Sequence, residues 1–127
     1  MPITVAGSDP IQRAEDLMAS HRIRQLPVVD AGQVIGMITD RDLRSLLSGQ
    51  LLFDADARAT ALAQPVREAM SPAPFSLRPD DNLQTAITLF IDEKVGGVPV
   101  TDSDNKLLGI VTYVDLMRCF LQRLQEE

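Results

Sequence analysis

Two stretches of the sequence share one polar pattern. The first is Gly36-Met-Ile-Thr39-Asp-Arg-Asp42, and the second is Gly109-Ile-Val-Thr112-Tyr-Val-Asp115. In each stretch an apolar, strand-like run ends at a threonine, and an aspartate follows three residues later. Thr-x-x-Asp at the start of a helix is a capping box, so a purely structural role is one interpretation.

The same arrangement also suits a ligand. A strand-to-helix junction presents free N–H groups and the positive end of the helix dipole, both of which favour phosphate. An aspartate in the first turn can accept the hydroxyls of a ribose, and the threonine hydroxyl can donate to a phosphate. The glycine lets a ligand approach the backbone closely. Thr39, Asp42, Thr112 and Asp115 are therefore candidate binding residues as well as candidate caps.

The two patterns belong to an internal repeat. When the sequence is shifted by 72 residues, and by 73 after the turn that follows Asp102, twelve residues fall on identical ones. The repeat divides the chain into a first copy at 1–48, a connector at 49–65 and a second copy at 66–127. A pre-strand segment at 66–70 has no counterpart in the first copy.

Each copy predicts the order strand, helix, strand, strand, helix. Asp9-Pro10-Ile11-Gln12 predicts a helix start with Asp9 as the N-cap, and Asp81-Asn82-Leu83-Gln84 repeats it. The predicted strands are 3–5, 26–29 and 34–38 in the first copy, and 75–77, 98–100 and 107–111 in the second. The strands 34–38 and 107–111 are almost continuously apolar, so we expect them to be buried on both faces.

Four further helical segments are predicted. The connector carries a short helix at about 56–63, followed by one more turn at 66–70. The second helix of each copy begins near Thr39 or Thr112, and the last helix runs to Gln125. Its apolar face consists of Val114, Met117, Phe120, Leu121 and Leu124.

Length and charge exclude several classes of function. A chain of 127 residues suits one compact unit. A net charge of −6 argues against a nucleic-acid polymer as partner, because such binding needs Lys and Arg to neutralise phosphates. The longest uncharged stretch is ten residues, whereas a transmembrane helix needs about 20. Since no signal peptide is visible, we expect a cytoplasmic protein without a membrane partner.

Catalytic and metal chemistry lack the necessary side chains. Cys119 is the only cysteine and His21 the only histidine. A cysteine-based zinc site, a histidine-based metal site and a Ser-His-Asp triad are therefore excluded, and we expect no catalytic residue and no metal. We expect Cys119 to be a buried, inert thiol on the last helix.

The repeated pattern resembles a known family. The spacing h-Pro-h-h-Asp followed by Gly-h-h-Thr-x-x-Asp (h, hydrophobic), found twice, resembles a pair of CBS domains (named for cystathionine β-synthase), together called a Bateman module. The matching stretches are 21–30 and 36–43 in the first copy, and 97–102 and 109–116 in the second. The resemblance implies an α/β (α+β) fold of tandem β-α-β-β-α repeats, packed about a pseudo-twofold axis.

The resemblance also implies ligands and roles. Clefts between the two repeats would bind adenosine-containing molecules such as AMP, ADP, ATP or S-adenosylmethionine, with no required cofactor. Asp42 and Asp115 would hold the ribose, and Thr39 and Thr112 its oxygens or the phosphate. The remaining implied contacts are backbone at Ile23–Arg24 and Val95–Gly96 for adenine, and Thr4 and Ser76 as secondary contacts. The family usually forms homodimers through helices.

The two copies differ in charge. The first copy carries His21, Arg22, Arg24, Arg41 and Arg44, and their partners in the second are Glu93, Lys94, Gly96, Val114 and Met117. Lys94 is therefore the one cation among the second set. Charge-assisted hydrogen bonds favour phosphate near the first set, although these arginines could equally be solvated surface charges. We expect phosphorylated ligand to prefer the copy-one arginines.

The sequence thus favours a non-catalytic regulatory sensor of adenosine-containing ligands that acts on a partner protein through a shift of population. The alternative is a dimerisation module whose ligand clefts are vestigial. Intact Thr/Asp pairs in both copies favour the sensor.

Overall fold

A computed structural model of the chain describes residues 2–49, 53–72 and 75–126. It shows a mixed fold of helices and small antiparallel sheets, as predicted. The chain divides into two compact units, Ile3–Pro74 and Phe75–Glu127, the latter together with Met1–Pro2.

The first unit contains a three-stranded sheet and three helices. Its elements are α1 (Ile11–His21), β1 (Gln25–Asp30), β2 (Gln33–Thr39), α2 (Asp40–Leu46), α3 (Ala55–Leu62), a 3-10 turn (Val66–Glu68) and β3 (Ser71–Pro72). The hairpin β1–β2 turns through Ala31 and Gly32, whose φ angles of 51° and 80° close the tight turn. The short strand β3 pairs with the other edge of β2.

The second unit repeats the pattern with fewer elements. It contains α4 (Leu83–Glu93), β4 (Gly97–Thr101), β5 (Leu107–Thr112) and α5 (Tyr113–Gln125), with β4 and β5 forming a two-stranded sheet. The hairpin turn is closed by the Asp102 carboxylate, which accepts N–H bonds from Asp104 at 2.8 Å and Lys106 at 3.0 Å.

The predicted first strand of each copy shrinks to a single bridge. Val5 pairs only with Val28, and Leu77 only with Val100. In the first copy the Asp9 carboxylate accepts the N–H of Ala6 at 2.9 Å, and in the second Asp81 accepts that of Arg78 at 2.8 Å. These turns end each extended segment directly after the bridge, and residues 3–4 and 75–76 before it have no strand partner among the described residues.

The predicted N-caps at Asp9 and Asp81 are wrong by one residue. The N-caps are Pro10, which makes no side-chain bond, and Asn82, whose side chain accepts the N–H of Thr85 at 2.8 Å. The reason is the turn just described: each aspartate carboxylate is already committed to the residue three positions before it.

The boundary between the units does not coincide with the repeat boundary at residue 66. The segment 66–72 packs with the first unit, although by sequence it belongs to the second copy. Val66 is fully buried in the first unit's core, and β3 adds a strand to that unit's sheet. The connector helix α3 joins the same unit through Leu62 and through an ion pair of 2.9 Å between Arg58 and Glu15.

Burial differs from expectation in the second unit. Most of β2 is buried, but Leu108 in β5 is 48% exposed, so the prediction of a strand covered on both faces fails there. Of the residues in helix α5, Leu116 alone is buried. Its predicted apolar face is 39–62% exposed, and Cys119 is exposed rather than buried.

Candidate functional site

The Thr39–Asp42 pair lies at the junction of β2 and α2. The Asp42 Oδ2 accepts the backbone N–H of Thr39 at 2.9 Å and its hydroxyl at 3.1 Å, while the N–H of Asp42 donates to that hydroxyl at 3.2 Å. The capping box is therefore complete, and both side chains are half-buried.

The Thr112–Asp115 pair repeats this geometry between β5 and α5. The corresponding distances are 2.8, 3.0 and 3.4 Å, and both side chains are again half-buried. Two junctions built alike by different local sequences show that the Thr-x-x-Asp pattern itself determines the arrangement.

The cap and the ligand role do not exclude each other. In both copies the cap uses only Oδ2 of the aspartate, and Oδ1 accepts no hydrogen bond from residues 2–49, 53–72 or 75–126. A carboxylate can accept at both oxygens. Each aspartate can thus hold its helix start with one oxygen and offer the other to a ligand hydroxyl.

The candidate adenine-reading backbone lies beside these junctions. The N–H of Asp40 donates to the carbonyl of Arg24 at 2.9 Å. In the second unit, the N–H of Tyr113 donates to the carbonyl of Gly96 at 3.2 Å. These bonds tie Ile23–Arg24 to the start of α2, and Val95–Gly96 to the start of α5. The fold thus brings two separate parts of the predicted site together within each unit.

Arg22 and Lys94 share a backbone conformation that sequence reasoning missed. They end α1 and α4 with φ of 55° and 54°, in the left-handed region that favours glycine. A basic residue thus forms the left-handed C-cap of the first helix in both copies, with its N–H donating to the carbonyl of Met18 or Phe90. The repeat alignment was the available signal, since it pairs these two cations.

The copy-one cations are exposed. His21, Arg22, Arg24 and Arg41 form no ion pair with any residue the structure describes, whereas Arg44 lies 3.6 Å from Asp40 one helical turn away. The Arg44 charge is therefore partly compensated by its own helix, and the other four side chains are available to an anion.

Thr4 and Ser76 are the two predicted secondary contacts to the ligand. Thr4 is half-buried and precedes Val5, which pairs with β1, whereas Ser76 is exposed. Neither hydroxyl has a hydrogen-bond partner in the described part of the chain. The structure therefore shows no contact that joins them to the Thr/Asp pairs.

Within the described ranges, no three His, Cys, Asp or Glu side chains are grouped so that they could hold a metal ion. No helix among those residues has the length and apolar character needed to cross a membrane.

Comparison with curated proteins gives relatives of CBS type. The chain is 36% identical over 115 residues to the CBS domain-containing protein YhcV of Bacillus subtilis, covering 89% of this chain and 74% of that protein. It is 31% identical over 132 residues to the uncharacterized protein MJ1225 of Methanocaldococcus jannaschii. That match covers 98% of this chain but 47% of MJ1225, so the chain spans about half of that relative.

Solved structures resemble the chain over nearly its full length. The crystal structure of CBSX2 in complex with AMP has a TM-score of 0.80 at 29% identity, covering 95% of this chain and 88% of that one. The CBS domain pair of MJ0100, in complex with 5′-methylthioadenosine and S-adenosylmethionine, has a TM-score of 0.77 at 27% identity, covering 97% and 90%. The family profile described as CBS domain matches residues 1–49 and 66–122. The chain therefore belongs to the CBS domain family and carries a pair of these domains.

Proposed function

We propose that this protein is a non-catalytic regulatory module that binds adenosine-containing ligands through its two Thr/Asp pairs. The observation that carries the proposal is the free Oδ1 of Asp42 and of Asp115, each at the N-terminus of a helix and half-exposed. A carboxylate oxygen there can accept ribose hydroxyls, while the helix N-terminus attracts phosphate.

The relatives support the class of ligand. AMP is bound to CBSX2, and 5′-methylthioadenosine and S-adenosylmethionine are bound to MJ0100. These ligands share adenosine and differ beyond the ribose. The proposal therefore names adenosine as the common group, with AMP, ADP, ATP and S-adenosylmethionine as candidates for this chain.

Charge favours phosphorylated ligands at the first unit. Arg22, Arg24 and Arg41 are exposed and have no acidic partner among the described residues, while the equivalent set in the second unit has Lys94 as its one cation. Hydrogen bonds between a guanidinium and a phosphate are about twice as strong as neutral ones. We therefore expect AMP to bind more tightly at the first unit than at the second.

The proposed mechanism is a shift of population. A ligand that binds one conformation better than another stabilises it, and a partner protein responds to that conformation. Homodimerisation is part of the proposal, because the apolar face of α5 is largely exposed in the single chain. We also propose a cytoplasmic location, although the Arabidopsis relative CBSX2 is named as chloroplastic.

Isothermal titration calorimetry with AMP, ADP, ATP and S-adenosylmethionine tests the binding. The key variants are Asp42→Asn and Asp115→Asn, because an asparagine has one acceptor oxygen and cannot serve the cap and the ribose together. Asp40→Asn is the matched control, since Asp40 lies on the same helix as Asp42 but pairs with Arg44 instead.

We expect at least one of these ligands to bind, and each Asn variant to lose about tenfold in affinity at its own unit, equivalent to about 1.4 kcal/mol. The control should bind like the parent. No heat with any of the four ligands, or equal affinity in Asp42→Asn, Asp115→Asn and Asp40→Asn, would contradict the proposal. It would favour the alternative of a dimerisation module without ligand sites, which the exposed face of α5 supports.

A further inference from the structure

The two Thr/Asp junctions differ in the residue that follows the capping threonine. In the first unit it is Asp40, whose carboxylate lies 3.6 Å from Arg44 on the same helix. In the second unit it is Tyr113, which is 53% exposed. The Tyr113 hydroxyl has no hydrogen-bond partner in the part of the chain that the structure describes. An aromatic ring is therefore open to a ligand at the second junction.

Tyr113 lies between the two elements proposed to hold adenosine. Its backbone N–H donates to the Gly96 carbonyl at 3.2 Å, so the residue is fixed beside the backbone expected to read adenine. Thr112 and Asp115, which are expected to hold the ribose, close the first turn of α5 around it. The ring can therefore contact a group that the ligand carries on its ribose.

The charges around the second junction are mainly negative. The end of α4 and its C-cap are Asp92-Glu93-Lys94, where α1 ends in Ser20-His21-Arg22. Asp92, Glu93 and Lys94 are exposed, and none of them forms an ion pair with a residue that the structure covers. With Asp115, the second junction thus has three acidic groups and one basic group.

The first junction has the opposite balance. Its two acidic groups are Asp40 and Asp42, and four arginines lie in the same two segments, Arg22, Arg24, Arg41 and Arg44. The residues equivalent to Arg24 and Arg41 are Gly96 and Val114, so the second unit lacks those positive charges. The two junctions therefore share their capping geometry but have opposite local charge.

Local charge determines which group a ligand can place beside the ribose. A helix N-terminus carries about half a positive charge, which attracts phosphate. At the second junction that half charge is smaller than the excess of two acidic groups, so the local field favours a cation. The face of a tyrosine ring also attracts a cation. The field and the ring thus favour the same kind of group.

We propose that the second unit selects an adenosyl ligand whose 5′ group is a cationic sulfonium, and that Tyr113 is the residue that determines this preference. The preference rests on the proposed function, because Thr112 and Asp115 must hold the ribose while the sulfonium lies against the tyrosine ring. The first unit, with its arginines, prefers phosphate. One chain thus distinguishes ligands of opposite charge, one at each unit.

S-adenosylmethionine and S-adenosylhomocysteine test the role of charge, because they differ by one methyl group and the positive charge that it places on sulfur. Calorimetry measures both affinities. Amide shifts in NMR spectra identify the unit, since Thr112 and Asp115 report the second and Thr39 and Asp42 report the first. We expect S-adenosylmethionine to bind the second unit about tenfold more tightly than S-adenosylhomocysteine, and AMP to shift mainly the first unit.

Two variants test the role of the ring. Tyr113→Leu removes the ring but keeps an apolar side chain, so we expect it to bind S-adenosylmethionine about fivefold more weakly at the second unit. AMP binding at the first unit should not change, which shows that the variant is folded. Tyr113→Phe keeps the ring and loses only the hydroxyl, so it should restore the affinity of the parent.

Three results would overturn the sulfonium preference while an adenosine-containing ligand still binds. They are an affinity of the second unit for S-adenosylhomocysteine or AMP that equals its affinity for S-adenosylmethionine, an affinity of Tyr113→Leu that equals that of the parent, and an absence of S-adenosylmethionine shifts at Thr112 and Asp115. In these cases the proposed function survives. If no ligand shifts either unit, the proposed function fails, and the sulfonium preference fails with it.

Discussion

A single carboxylate oxygen of Asp42 accepts both the backbone N–H and the hydroxyl of Thr39, at 2.9 and 3.1 Å. This relationship closes the first turn of α2 without any ligand, and Thr112 and Asp115 repeat it at α5. Because the aspartates are already oriented, a ligand bears no cost of ordering them.

The first prediction concerns the caps. Thr39→Val keeps the side-chain shape but removes the hydroxyl that caps α2, so we expect the free energy of unfolding to fall by about 1 kcal/mol. Urea denaturation measures the change. Thr60→Val is the matched control: Thr60 is exposed within α3, where its hydroxyl donates only to the Asp56 carbonyl. A loss as large in the control would show that the cap is not responsible.

The second prediction concerns the paired glycines. Gly36→Ala places a methyl group against the Ser71 carbonyl, which is backbone and cannot yield easily, so we expect a loss of about 1–3 kcal/mol. Gly109→Ala should change stability by less than about 0.5 kcal/mol, because the position is open. Thermal denaturation measures the loss of stability in each variant. Similar losses in the two variants would contradict the structural difference between the units.

The third prediction concerns the strained cations. Arg22→Gly and Lys94→Gly relieve a left-handed backbone, so we expect each to raise the free energy of unfolding by up to about 1 kcal/mol. Arg41→Gly, inside helix α2, should instead lower it by about 1 kcal/mol. If Arg22 also binds phosphate, Arg22→Gly should weaken AMP binding while stabilising the fold. A destabilised Arg22→Gly would contradict the prediction.

The fourth prediction concerns pH. The backbone N–H of Lys106 lowers the pKa of Asp102 below its ordinary value of 3.8. Partial desolvation raises the pKa of Asp102, whereas the N–H of Asp104 and the charges of Lys106 and Arg78 lower it further. A carboxyl whose pKa is lowered by folding stabilises the protein above its unfolded pKa, and this contribution disappears as pH falls below 3.8 through the folded value.

We therefore expect Asp102→Asn to be less stable than the parent at neutral pH, with a difference that narrows as the pH falls below 3.8. Urea unfolding across the acid range measures it, with the exposed Asp92→Asn as a control. A difference that stays constant or widens at low pH would contradict the assignment.

The fifth prediction concerns oligomeric state. Leu121 is 55% exposed at the centre of the apolar face of α5, so Leu121→Lys should convert a homodimer into a monomer. Light scattering after gel filtration measures the mass. Phe53→Lys is the control, because Phe53 is 90% exposed but lies outside α5. If the parent protein is already a monomer, the proposed homodimer is contradicted.

Much of the local structure could be predicted from residue pattern. The strands around Pro27 and Pro99, the helix starts at Thr39 and Thr112 and the connector helix depend on neighbours in sequence, so periodicity and capping determined them. The pairing of Thr39 with Asp42 and of Thr112 with Asp115 is equally local, since three residues separate the partners.

What the sequence could not decide depends on long-range packing. Aspartate is a residue type that favours the N-cap of a helix, yet the Asp9 carboxylate instead accepts the N–H of Ala6 in the preceding turn. The segment 66–72 belongs to the second copy by sequence but packs with the first unit, because the Gly7 carbonyl and the edge of β2 pair with its backbone. Two copies with the same pattern thus acquire different surfaces. Gly36 is covered and Gly109 is open, a contrast that the shared Gly-x-x-Thr pattern does not determine and that tertiary contacts create.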